Sequence, residues 1–141
     1  MADGVVLRRG NWTPLVIERD GQLVYDIPID SGVVSFSREF PIGPDEFRVL
    51  RDDVERYYFL FAALHHPYQL AETNLSEAER QRVFRTILFG SRDEVEAYLT
   101  AADGAGNGAI SNLVGIVTQA DYRELRAGRW FGVGADAPRE P

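Results

Sequence analysis

The hydrophobic period of the chain changes once, at Pro41-Ile42-Gly43-Pro44. Before that point β-branched and aromatic residues alternate with polar ones in short runs; after it, apolar residues recur in steps of three and four. A period of two buries one face of a sheet and a period near 3.6 buries one stripe of a helix, so the two segments cannot exchange roles. The expected fold is α+β: an N-terminal antiparallel β-meander of three to four strands packed on a long central helix, followed by two to four further helices.

In the first segment, Leu15 to Ile17 lead into Asp20-Gly21, and Leu23 to Ile27 follow. An Asp-Gly step between β-branched runs is a strong hairpin signal. Val33 to Phe40 form the next expected strand, with Val34, Phe36 and Arg38 on one face and Val33, Ser35 and Ser37 on the other. Val5 to Arg8 are a candidate fourth strand. Pro28 and Pro41 suit strand ends or edges better than a central ladder.

In the second segment, Phe47, Leu50, Val54, Tyr57, Phe61 and Leu64 predict one central helix over Asp45 to Leu64, with Pro44 near its first position. Its second half, YYFLFAAL, is apolar nearly all round and should be buried on several sides. Ser76 and Glu79 have capping-box spacing ahead of Val83, Ile87 and Leu88, Gly90 ends that helix, and Ser91 caps the next. The loop DGAGNG leads to Ala109 to Val117, whose period leaves helix and strand open; Gln119 to Arg126 read as helical, closed by Gly128. Residues 1–132 read as a single domain and 133–141 as a flexible tail.

Composition narrows the function classes. There is no cysteine, which excludes disulfides, thiolate metal sites and a cysteine nucleophile. Acids outnumber bases 22 to 15, every base is arginine, and the net charge is −7. Such a charge repels nucleic acid and anionic membranes while drawing in a basic protein partner; the alternative is that it only keeps the chain in solution. No stretch approaches the roughly 20 apolar residues of a spanning helix, and the first residues do not resemble a secretory signal, so a cytoplasmic location is expected. No cofactor or metal is expected, and the oligomeric state is open.

Several motifs invite chemistry. His65 and His66, the chain's two histidines, are expected at the end of the central helix with His66 forced out of helical conformation by Pro67. Neighbouring helical positions diverge by about 100°, so the pair is poorly placed to share a metal. They read as a helix end or a buried imidazole; the alternative is a small enzyme or metal-binding protein centred on them, with Glu72 orienting one ring. GAGNGA, residues 104 to 109, loosely matches a dinucleotide fingerprint, but that motif needs a preceding strand where EVEAYLTAAD reads as a helix. No serine lies in a nucleophile elbow, and the carboxylates form no calcium-loop pattern.

The carboxylates do gather in the opening turns of helices: Asp45, Glu46, Asp52, Asp53 and Glu55, then Glu77 and Glu79, then Asp93, Glu94 and Glu96. Helix dipoles favour acids there without any function. If those starts lie together, however, they build one negative field able to fill a basic, phosphate-binding cleft. Asp45, Glu46, Asp52, Asp53, Glu55, Asp93, Glu94 and Glu96 are therefore candidate partner-binding residues. Trp130 joins them as an aromatic anchor, and Trp12 and Tyr122 are placed similarly; the alternative is that such rings seal the edge of the core.

The stretch IPIDSGVVSFSREFPI, followed by DEFRVLRDDVERYYFLFAALHHPYQ, resembles bacterial immunity proteins encoded beside contact-dependent growth-inhibition toxins. The resemblance covers about the first half of the chain. It implies a role more than a structure: binding one cognate toxin domain, often a nuclease, and blocking its active site or an essential surface. It carries no position-specific residues. An acidic regulatory or scaffold subunit is the third reading.

Overall fold

The hairpin signal marks where the sheet begins to form. In a computed structural model that describes residues 4–30, 34–70 and 73–132, Asp20 and Gly21 have φ of 53° and 79°. Both central residues thus meet the positive-φ requirement of a two-residue type I′ turn, which Arg19 and Gln22 close as a pair. Around it are four antiparallel strands in sequential order: β1 (Gly4–Arg8), β2 (Leu15–Arg19), β3 (Gln22–Asp30) and β4 (Ser35–Ile42).

Alternation along β3 sets the two faces of the sheet. Tyr25, Ile27 and Ile29 are buried, while Asp26, Pro28 and Asp30 point the other way. Ile29, Ile27, Tyr25 and Leu23 pair with Phe36, Arg38, Phe40 and Ile42, which therefore share one face of the sheet; Phe36 and Arg38 fall on one side as expected, while Val34 precedes the strand. β4 starts two residues later than its sequence suggests and runs through Pro41, which an outermost strand tolerates because one side of it forms no ladder. Pro28 is tolerated for a related reason: β2 begins at Leu15, opposite Asp26, so from Ile27 onward β3 has a neighbour on one side only.

The expected single central helix is two helices, α1 (Pro44–Asp52) and α2 (Val54–Tyr68), broken at Asp53. Asp53 is extended; one carboxylate oxygen accepts the Arg56 N–H and the other the Arg56 Nε–H, both at 3.1 Å. A short acid that bonds backbone amides competes with the helix at its own position, and the apolar period continues unbroken across it. A second correction concerns the end: α2 passes through Pro67 to Tyr68, so His66 stays helical. Proline that late removes one hydrogen bond, and the turn is held from outside by the burial of Tyr68 and by Arg38 over its ring at 5.1 Å.

Four helices follow: α3 (Glu77–Phe89), α4 (Arg92–Ala105), α5 (Ala109–Thr118) and α6 (Tyr122–Arg126). Ser76 with Glu79 and Ser91 with Glu94 form the reciprocal bonds of capping boxes, and Gly90 separates α3 from α4. The open segment Ala109 to Val117 is helical, and α6 begins only at Tyr122 because Gln119 adopts a left-handed φ of 64°. The tail, 133–141, lies outside the described residues. Phe59 to Leu64 are buried all along, and α2 touches β3, α1, α3, α4 and α5, which makes it the axis of the core.

Candidate functional site

The acidic helix starts separate into two groups. Those of α2 and α4 meet at the chain's last described turn: Glu55 accepts the Gly132 N–H, and Glu96 accepts those of Trp130 and Phe131 at 2.8 and 3.0 Å. Arg56 and Arg92 lie over the Phe131 ring at 5.3 and 4.9 Å, so that junction carries bases beside its acids. Burial lifts Glu55 above the usual carboxylate range, with the Gly132 bond opposing it. Glu46 and Glu77 line a second groove, of about 340 Å³, shared with Arg80 and Arg85.

Most of the other candidate carboxylates serve the chain's own backbone or a neighbour. Glu46 accepts the Gly43 N–H, Glu94 that of Ser91, and Asp53 caps α2. Asp45 pairs with Arg48, and Asp52 is held down in pKa by its two-pronged bond from Arg51. Asp45, Asp52 and Asp93 are exposed. Trp130 is 1% exposed; its ring stands edge-on to Phe59 and its Nε1 donates to Thr100. It seals the core, which corrects its reading as a surface anchor.

The glycine-rich loop is a helix connector. Its first residues close α4, and Asp103, buried, accepts the Ser111 N–H at 2.7 Å and so caps α5 from the preceding helix. Gly106 lies against His66, where a Cβ would stand 2.8 Å from Nε2. His65 faces away from this contact. Its Nε2 accepts the Asp30 N–H at 3.1 Å, which assigns the proton of the neutral ring to Nδ1. Burial holds the imidazole below its ordinary pKa, with Asp30 pulling it up and His66 pushing it down.

Asp30 brings His65 into a cleft of about 410 Å³ between the sheet and the helices. Ile29, Phe61 and Leu113 give it an apolar lining; Trp12, Pro28, Asp30, Ser35, His65 and Gln69 complete it. Gln69 spends its Nε2 donor on the Asp30 carbonyl at 2.7 Å. Trp12 and Pro28 also line a neighbouring hollow of about 290 Å³ with Arg8 and Asp26, so the indole and the proline ring are the wall common to both. In that hollow burial lifts the Asp26 pKa, with Glu39 adding to it and the Ser37 bond opposing. Val34, Phe36 and Leu70, adjacent in sequence to cleft residues or on the same strand, are exposed apolar side chains.

Trp12 is the unusual member. It has a φ of 59° and is 76% exposed. A left-handed conformation costs a bulky residue about 1 kcal/mol, and water contact forgoes most of what indole burial could return. Its loop is nonetheless fixed at both ends. Arg9 donates to the Leu50 and Arg51 carbonyls at 2.9 and 2.7 Å, capping the end of α1; Thr13 closes on Gly10 at 2.8 Å; the Tyr57 hydroxyl donates to Pro14.

Sequence reasoning reached Trp12 and His65 but missed Asp30, Ser35, Gln69 and Leu113. The signal for Asp30 was Asp26-Ile27-Pro28-Ile29-Asp30, whose alternation sends both isoleucines inward and the acids and proline outward. Comparison with protein-family models, with curated proteins and with solved structures gives no match.

Proposed function

We propose that this chain is a protein-binding inhibitor that captures its partner at the Trp12 cleft, and that the partner is a bacterial toxin domain of the contact-dependent growth-inhibition kind. The observation that carries the binding reading is Trp12: a strained, exposed indole on a loop clamped by Arg9, Thr13 and Tyr57. Strain and exposure both oppose folding, and a rigid exposed tryptophan is the side chain that contributes most to interfaces. Pre-organisation spares the partner the cost of ordering it. The toxin assignment rests on the sequence resemblance and on the acidic balance of the chain.

His65 supports the same reading against the enzymatic one, because its Nε2 lone pair is engaged by a backbone amide instead of facing the cleft. Asp45, Asp52 and Asp93 steer a basic partner from a distance; asparagine at all three slows association and flattens its salt dependence while leaving dissociation unchanged. The direct test is co-expression with a candidate toxin domain from the adjacent gene, followed by calorimetry. A tight one-to-one complex with loss of toxin activity supports inhibition. A toxin that stays free and active in the presence of the folded chain refutes it.

A further inference from the structure

We infer that the free edge of β4 pairs with the same edge of a second copy of this chain, joining the two four-stranded sheets across a twofold axis at Ser37. The phase of the ladder decides what that edge offers. Bonded and non-bonded pairs alternate in an antiparallel ladder, and Arg19 and Gln22, closing a two-residue turn, are a bonded pair. Gln22, Val24 and Asp26 therefore turn their N–H and C=O groups to β2, and Leu23, Tyr25, Ile27 and Ile29 turn theirs to β4. Asp30 obeys the same phase, its N–H and carbonyl facing His65 and Gln69 instead of β4. On β4, Phe36, Arg38, Phe40 and Ile42 are then bonded to β3, while the backbone groups of Ser35, Ser37, Glu39 and Pro41 face outward. Among the described residues, the outward N–H groups of Ser35, Ser37 and Glu39 meet no acceptor.

The other flanks of the sheet are poor templates for a strand. β1, at the opposite edge, is five residues long and its register shifts between Val5 and Leu7. Beyond Asp26, β3 has Pro28, which lacks an N–H, and Asp30, whose backbone groups are taken by α2. β4 runs eight residues in unbroken register. Its own sequence fits a second copy. With Ser37 opposite Ser37 of the other copy, Ser35 and Glu39 form the flanking bonded pairs, each exchanging two backbone bonds, and Phe36 stands opposite Arg38. No like charges oppose one another in that register, whereas centring on Arg38 or Glu39 sets like against like. Both charges are also engaged within the chain: Glu39 is paired with Arg19 at 2.9 Å, and Arg38 lies over the Tyr68 ring at 5.1 Å. Val34 and Phe36, exposed beside this edge, gain apolar cover from the pairing.

The test is sedimentation equilibrium on the intact chain from about 1 µM to about 1 mM, with amide hydrogen exchange at both ends of that range. The mass is expected to rise from one chain to two, and the Ser35, Ser37 and Glu39 amides to exchange more slowly in the concentrated sample. Added salt should strengthen the association, since each copy carries a net charge of −7. Ser37→Pro removes an outward N–H without touching the ladder to β3, at the phase where Pro41 already stands, and is expected to weaken the dimer at least about tenfold. Ser37→Ala loses the hydroxyl bonded to Asp26 but keeps the N–H, and is expected to dimerise as the parent does. A single chain at every concentration, a dimer whose edge amides exchange freely, or a dimer indifferent to Ser37→Pro overturns the inference. Edge amides slowed only by an added toxin domain overturn it too, in favour of a strand from that partner. The dimer does not depend on the toxin reading: it is measured on the chain alone, and its absence leaves the Trp12 cleft untouched.

Discussion

Acidification from pH 7 to about pH 5 isolates His65, because free imidazole titrates near 6.5 and free carboxylates near 4. Burial keeps the folded-state pKa of His65 below its ordinary value, outweighing the pull of Asp30. The unfolded chain therefore binds the proton first, and stability must fall as protons are added. The contribution is complete above about pH 6.5 and is lost as the pH drops through the folded pKa. Its size follows from the bond at stake. Protonation at Nε2 turns the acceptor of the Asp30 N–H into a second donor, so one hydrogen bond worth about 1 kcal/mol disappears. Urea unfolding of the parent and of His65→Gln, whose amide oxygen can accept the same N–H, gives the comparison. The difference removes His66 and every carboxylate common to both. The parent should lose about 1 kcal/mol more than the variant across the window. Parallel curves refute the bond, and a parent that gains stability on acidification refutes the neutral ring and revives an ion-paired, catalytic histidine.

Other substitutions probe the scaffold under the cleft. The Tyr25 hydroxyl is fully buried and has no hydrogen-bond partner, so Tyr25→Phe should raise urea stability by about 1 kcal/mol; a loss of that size would show a hidden partner. Gly108 has φ +83° and its missing Cβ would stand 2.6 Å from an Arg126 nitrogen, so Gly108→Ala should cost about 1–2 kcal/mol, read from the unfolding midpoint. Glu96→Ala leaves the Trp130 and Phe131 amides without their acceptor and should cost about 2 kcal/mol while shifting Trp130 fluorescence to the red; an unshifted spectrum would contradict the clamp.

Local signals carried much of the fold. Asp20-Gly21, the two serine–glutamate boxes and Gly90 each act within a few residues, and the helical period of Phe47 to Leu64 reports a continuous buried stripe. Two things escaped for the same reason. The Asp53 break leaves that period intact, and helix passage through Pro67 depends on Tyr68 and Arg38, distant in sequence. The cleft was less legible still, since residues 12, 28 to 30, 35, 61 to 69 and 113 meet only through tertiary packing. The acidic helix starts were readable as a pattern, but whether a carboxylate caps, clamps or stays open is decided by what stands opposite it, as Glu96 and Asp93 show within one helix turn.

Trp12 is where strain, exposure and rigidity coincide, and its truncation is the most direct measurement. Calorimetric titration of the proposed toxin partner, taken as a candidate domain from the adjacent gene, should give a dissociation constant at least about 30-fold weaker for Trp12→Ala than for the parent, with folding stability changed by less than about 0.5 kcal/mol. Equal affinities for parent and variant would contradict the assignment of the Trp12 cleft as the binding surface.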